Sequence, residues 1–217
     1  NYEGTFYDRY HVYENLGFDR FVPVEFMCNT EINQTGWAKD KIILPYIKKT
    51  LESSEGKDFI FGVTVQSHGN YPSDLEADFD IKVLGELDES IRAEYEYYVN
   101  EINEVDMFIG ALVSYLETYE EPTVLVLYGD HLPALTELDD SDLSQGDMFT
   151  TEYVIWSNFS LSGEDRNLEA YRLSSYLFDL LGIDMGTVFR YHNLCSENSS
   201  YLTLLELLEY DILYGEN

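Results

Sequence analysis

Three short stretches carry residue types that could do chemistry. In Leu127-Tyr128-Gly129-Asp130-His131-Leu132-Pro133 an apolar run ends, a glycine allows a tight turn, and a carboxylate and an imidazole follow together. An Asp oxygen beside a His nitrogen is a ligand pair suited to Mn²⁺ or Zn²⁺. The same spacing describes a turn aspartate next to a surface histidine, because two ligands alone do not make a metal site. In Thr64-Val65-Gln66-Ser67-His68-Gly69-Asn70-Tyr71-Pro72 the imidazole of His68 again follows an apolar run. It could donate a hydrogen bond to a phosphoryl oxygen or be satisfied by local backbone. In Phe6-Tyr7-Asp8-Arg9 the guanidinium of Arg9 has the planar fork that suits phosphate, and an ion pair with one of many carboxylates is the alternative. His11 and His192 lack such context and read as structural. The tyrosines read as packing residues, and Glu94, Glu96, Glu101 and Glu104 as the solvated face of a helix.

Residues this far apart need a scaffold. Continuous apolar, β-branched runs predict buried strands over 59–65, 123–128 and 153–156. Apolar residues recurring every three or four positions predict helices over 40–53, 89–119, 168–181 and 202–210. Alternation of the two types predicts an α/β fold, a three-layer sandwich around a mostly parallel sheet. The acidic stretches 73–89 and 136–150 read as surface loops after a strand's carboxyl end, where α/β proteins build their sites.

Composition narrows the partners. The chain of 217 residues has 12 Lys and Arg against 42 Asp and Glu, a formal charge of −30. Nucleic-acid binding is excluded on this balance, since affinity for a phosphate backbone comes from basic side chains. Electrostatic adhesion to an anionic bilayer is excluded likewise. Hydrophobic types make up 45%, enough for a sizeable core. No apolar run is long enough to cross a membrane, and no signal peptide is visible. The opening at Asn1 leads us to expect a fragment or a processed form. Cys28 and Cys195 fit no zinc or redox spacing, and whether they pair is open.

Taken in order, the motifs resemble a family. Phe6-Tyr7-Asp8-Arg9, then Tyr13 to Asp19, Thr35-Gly36-Trp37-Ala38-Lys39-Asp40, Val63 to Pro72, Val126 to Pro133 and Tyr153 to Asn158 are similar to the extracellular catalytic domain of lipoteichoic acid synthases. These enzymes belong to the sulfatase and alkaline-phosphatase superfamily. The resemblance implies that residues 1–217 are the C-terminal portion of such a domain, without its N-terminal strands. Asp130 and His131 match two ligands of one divalent metal, usually Mn²⁺, with Mg²⁺ or Zn²⁺ as alternatives. Arg9 and His68 match residues that hold the substrate phosphate, and Tyr7 matches an aromatic position beside the glycerol group. In the family a metal-bound Thr attacks phosphatidylglycerol, and glycerophosphate then passes to a growing polymer. That Thr and a Glu ligand are expected upstream of the Phe-Tyr-Asp-Arg motif, so no catalytic nucleophile is named here. By resemblance alone, the parent is anchored at the extracellular face of a bacterial membrane. The other readings are a phosphodiesterase, a phosphoethanolamine transferase, a sulfatase, or a non-catalytic cell-surface binding domain.

Overall fold

The computed structural model describes residues 3–74 and 78–215, so residues 75–77 of the expected acidic loop lie outside it. The chain divides into two compact units, Asn1–Asn158 and Phe159–Asn217.

The first unit is organised by one long helix. It contains α1 (Arg9–Asn15), α2 (Ile43–Ser53), α3 (Glu89–Leu116), and the strands β1 (Val124–Tyr128) and β2 (Tyr153–Ser157). A 3-10 turn, Asp40–Ile42, leads into α2, so the predicted helix over 40–53 forms in two parts. Helix α3 forms within the predicted span, and of the apolar stripe expected on it Ile91, Leu112 and Leu116 are buried while Ile102 is exposed. Phe108, Leu112 and Leu116 recur every fourth residue and bury one stripe against Ile42 and Ile43 at the head of α2. Leu125 and Trp156, cross-strand partners in the sheet, close the far side of this core.

The expected strands over 123–128 and 153–156 are present, but their pairing differs from the expectation. β1 and β2 form a two-stranded antiparallel sheet, with Val124 opposite Ser157 and Tyr128 opposite Tyr153. A parallel pair needs a crossover, usually a helix. Residues 129–152 contain only the 3-10 turn Asp140–Asp142, so the chain returns to the edge it left. The mostly parallel sheet of the three-layer expectation is therefore not seen among the described residues. Nor does 59–65 form a strand. The amides of Val65 and Gln66 donate to the Asp40 carboxylate at 2.9 and 3.2 Å, which takes them out of any ladder. The aromatic rings of Phe59 and Phe61 rest instead on Phe18, and Phe61 also meets Tyr13.

The second unit is helical, with α4 (Leu173–Leu180), α5 (Thr187–Cys195) and α6 (Tyr201–Tyr214). Helix α5 was not anticipated, since its mixed sequence carries no regular apolar spacing. It is joined to α4 by the edge-on rings of Phe178 and Phe189 and by Asn193, which donates to the Ser175 carbonyl. Cys28 and Cys195 are both free thiols.

His192 is structural, as expected. It is buried on α5, its Nδ1 2.6 Å from the Tyr201 hydroxyl of α6. Burial, then the positive charge of Arg172, pushes its pKa below the ordinary 6.5, against a smaller opposing effect of Glu209. The unfolded chain therefore binds the proton more tightly. The contribution of His192 to stability is complete above the unfolded value and is lost as pH falls through the folded one. Between about pH 7.5 and about pH 5.5, wild-type chain should lose more thermal stability than His192→Gln. Equal slopes in melting experiments would refute this account of the residue.

Candidate functional site

The candidate site lies in the first unit, where two chain ends meet. One is the turn after β1. Gly129 donates its amide to the Glu152 carbonyl, and its own carbonyl accepts the Thr151 hydroxyl at 2.7 Å. This fixes the backbone as it leaves the sheet and presents Asp130 and His131 to solvent. Asp130 Oδ1 is 3.8 Å from His131 Nε2. The other is the turn at 65–71, where the His68 amide donates to the Val65 carbonyl and the Tyr71 hydroxyl donates to the Ser67 carbonyl. Burial beside Tyr98 and Tyr97 pushes the Tyr71 phenol up to about 12, so it stays a donor throughout the physiological range.

The two turns bring His68 and His131 together, with ring centroids 5.8 Å apart and planes nearly perpendicular. Both rings also have the same hydrogen-bonding arrangement. His68 Nδ1 is 2.6 Å from the Gly69 carbonyl, and His131 Nδ1 is 2.8 Å from the Leu132 carbonyl. A carbonyl only accepts, so each Nδ1 carries the proton and donates it. In the neutral rings each Nε2 is then left with its lone pair, the state in which histidine binds metals.

Behind His68 is a buried polar assembly that sequence reasoning missed. Asp40 and Gln66 are almost wholly buried and grip each other's chain. The Asp40 carboxylate takes the amides of residues 65 and 66, and the Gln66 side-chain oxygen accepts the Asp40 amide at 3.0 Å. The carboxamide of Asn33 uses both ends. Its oxygen accepts from the amides of Thr35 and Trp37 and from the Thr35 hydroxyl. Its nitrogen donates to the Gln66 carbonyl at 3.0 Å and to Glu101 at 3.1 Å.

The solvated glutamate face expected on α3 is thus corrected. Glu101 is buried against Asn33, and Glu104 is gripped by Lys39 at 2.6 Å and by Gln66 at 2.7 Å. Glu94 and Glu96 accept the amides of Thr136 and Val83. Burial alone would raise the Glu104 pKa, but Lys39 and Gln66 more than offset it, and the carboxyl is held below its ordinary value. Tyr97, Glu101 and Glu104 continue, in polar form, the same α3 stripe that Phe108, Leu112 and Leu116 make apolar. The polar side chains of Asn33, Thr35, Lys39 and Gln66 fold over this half of the helix and need partners, which explains the change.

Arg9 and Tyr7 lie with Phe6 at the start of α1. Tyr7 and Asp8 both have left-handed backbone conformations, at φ of 52° and 55°. For side chains other than glycine this costs on the order of 1–2 kcal/mol per residue. The strain aims the motif outward: Tyr7 is 79% exposed, and the Arg9 guanidinium lies 5.5 Å from the centroid of the Phe6 ring. The ring contact described above joins His68 to His131, while the Arg9 guanidinium rests by the Phe6 ring. Burial, and then the nearby Asp130 and Tyr13, push the Tyr128 phenol up. Tyr13 is one helical turn from Arg9, on the same face.

Among the described residues no group of three or more His, Cys, Asp and Glu is arranged to hold a metal ion. Asp130 and His131 were expected to be two ligands of such an ion. Their donor types fit a divalent cation. Ligands about 2.1 Å from a tetrahedral metal stand about 3.4 Å apart, close to the distance between Asp130 and His131.

Comparison with known proteins bears on the family and the fold. A solved structure of the Streptococcus pyogenes phosphoglycerol transferase GacH, in complex with sn-glycerol-1-phosphate, superposes with a TM-score of 0.78. It is 22% identical, and the match covers 97% of this chain and 59% of that one. A protein of Rhizobium meliloti (strain 1021), provisionally named for cyclic beta-1,2-glucan modification, is 33% identical over 141 residues, 64% of this chain and 22% of that protein. An uncharacterized protein of Haemophilus influenzae (strain ATCC 51907 / DSM 11121 / KW20 / Rd) is 25% identical over 166 residues, 70% of this chain and 29% of its own length. The chain thus spans less than a third of the length of these two curated relatives. The Sulfatase family model matches residues 1–182. With a match over most of its length, the chain belongs to the sulfatase family.

Proposed function

We propose that the full-length protein is a metal-dependent phosphoglycerol transferase acting on phosphatidylglycerol-type lipids in the synthesis of a cell-envelope polymer of the lipoteichoic acid kind. The observation that carries this reading is the meeting of His68 and His131, each with Nδ1 committed to a carbonyl and Nε2 left for a ligand. The glycerol phosphate bound by the GacH structure supports the substrate class. Asp130 and His131 would hold the cation, Mn²⁺ or alternatively Mg²⁺ or Zn²⁺. When bound, such a cation lowers the pKa of a coordinated hydroxyl and offsets phosphoryl charge. His68 and Arg9 would bind the phosphate, Arg9 through its fork of donors, and Tyr7 would lie against the glycerol carbons. The nucleophilic Thr and the remaining ligand belong, in this proposal, to a segment outside residues 1–217. So do the strands that would complete a larger, mostly parallel sheet and the anchor that would hold the protein outside the cell membrane.

The test is transfer from a fluorescent phosphatidylglycerol by full-length protein with Mn²⁺. Release of labelled diacylglycerol is expected. His68→Ala should lower kcat/KM by about 10- to 100-fold, the worth of one charge-assisted hydrogen bond. Hydrolysis of an aryl sulfate with no lipid turnover would replace this reading with a sulfatase. Absence of both activities in folded, metal-loaded protein would favour a binding domain.

A further inference from the structure

The resemblance and the reading above leave Trp37 without a role, yet its indole meets the His68 imidazole edge-on, with ring centroids 5.3 Å apart. We propose that Trp37 is a positioning residue of the substrate site, whose ring sets the orientation of His68 toward a glycerophosphate-type substrate. The inference rests on the function proposed above. His68 is exposed, and its one short hydrogen bond, to its neighbour's carbonyl, fixes the tautomer but leaves rotation of the ring about the chain to be limited by contacts. Trp37 and His131 both meet that ring edge-on, at interplanar angles of 70° and 84°. Two such ring contacts limit how far the imidazole can turn and so keep its Nε2 aimed, and small misplacements of a substrate-positioning group are costly to rate.

The indole is itself held in place. The Trp37 amide donates to the Asn33 side chain at 2.8 Å, and the Trp37 carbonyl accepts the Asn33 amide at 2.7 Å, closing the turn through Gly36 at φ 92°. Ala38 pairs with Ile32 as a β-bridge at the base of this turn. The same Asn33 carboxamide donates to the Gln66 carbonyl, two residues before His68. Asn33 therefore fixes both partners of the indole–imidazole contact in one frame. Such a frame is needed where two side chains from distant parts of the chain must keep a set angle.

The experiment is a double-mutant cycle in full-length protein, reading transfer from fluorescent phosphatidylglycerol for Trp37→Ala, Trp37→Phe, His68→Ala and the double variant Trp37→Ala/His68→Ala. Thermal melts establish that each is folded. Trp37→Ala should reduce kcat/KM by about 10-fold or more, and Trp37→Phe, which keeps an aromatic wall, should recover most of it. Once His68 is gone the indole has nothing to orient, so the double variant should be no worse than His68→Ala alone. Additive losses, or wild-type kinetics in Trp37→Ala, would overturn the positioning role and leave the site intact. If a variant fails to fold, Trp37→Phe and Trp37→Leu, which fill comparable volume, are compared instead: equal activity in these two would overturn the proposal. Wild-type turnover in His68→Ala would remove the site reading itself, and this inference with it.

Discussion

His131→Ala should lower the affinity of the full-length protein for Mn²⁺ by more than about 100-fold, because even partners one shell further out cost 10- to 100-fold. Transfer should fall at least in proportion. The side chain is 60% exposed and bonds through Nδ1 to the adjacent Leu132 carbonyl, so its loss removes the proposed ligand without opening a cavity. Melting temperature without metal should be nearly unchanged, since exposed substitutions generally stay within about 0.5 kcal/mol. Asp130→Asn should act in the same direction, because an amide oxygen is a weaker ligand than a carboxylate. Calorimetric titration with Mn²⁺ separates binding from chemistry. Wild-type affinity in His131→Ala would show that the turn after β1 holds no cation.

The second large effect falls on folding. Asp40 is completely buried, and its carboxylate is the acceptor for two consecutive amides. Asp40→Ala leaves both donors in the interior without that partner. At about 1–3 kcal/mol for each unsatisfied group, the loss is about 2–6 kcal/mol, a large share of what a domain possesses. Asp40→Asn is close in shape but turns an NH₂ toward one of the two amides, donor against donor, and should recover only part of the loss. Denaturant unfolding of the three proteins measures this directly. An Asp40→Ala chain within about 1 kcal/mol of wild type would mean that water or backbone rearrangement satisfies the two amides.

Much of this architecture was legible from spacing. The three- and fourfold spacing of apolar residues such as Ile109, Leu112 and Leu116 predicted α3, and the β-branched runs predicted β1 and β2. Periodicity reports burial, however, and does not report what an element pairs with. It could not say that residues 129–152 return beside β1 without a helical crossover, and so the sense of pairing was missed. The apolar run at 59–65 has a strand's composition, but the Asp40 carboxylate captures its last amides from a distance of some 25 residues. The site shows the same division. His68 and His131 stand out because a histidine after an apolar run is conspicuous. Trp37, Asn33, Glu101 and Glu104 do not, because an amide, a helix-face carboxylate and an aromatic residue each have ordinary uses. Only the folded chain reveals that Asn33 reaches 33 residues to Gln66 and 68 to Glu101. The one local hint was Gly36 before Trp37, a mark of a tight turn.

The Asn33 carboxamide joins stretches of chain that are remote in sequence, and this bears on how the protein breathes. None of the three stretches can peel away without stranding donors or acceptors in the other two. Residues 33–40, 65–68 and the middle of α3 therefore form one cooperative opening unit, whose amide protons exchange with solvent at a common rate. The wall of the site that carries His68 is consequently stiff on the slow timescale of exchange. In the function proposed above, the freedom to admit and release a lipid is expected from the excursion between β1 and β2, which Thr136 ties to α3 and which is otherwise fastened mainly by bonds among its own residues.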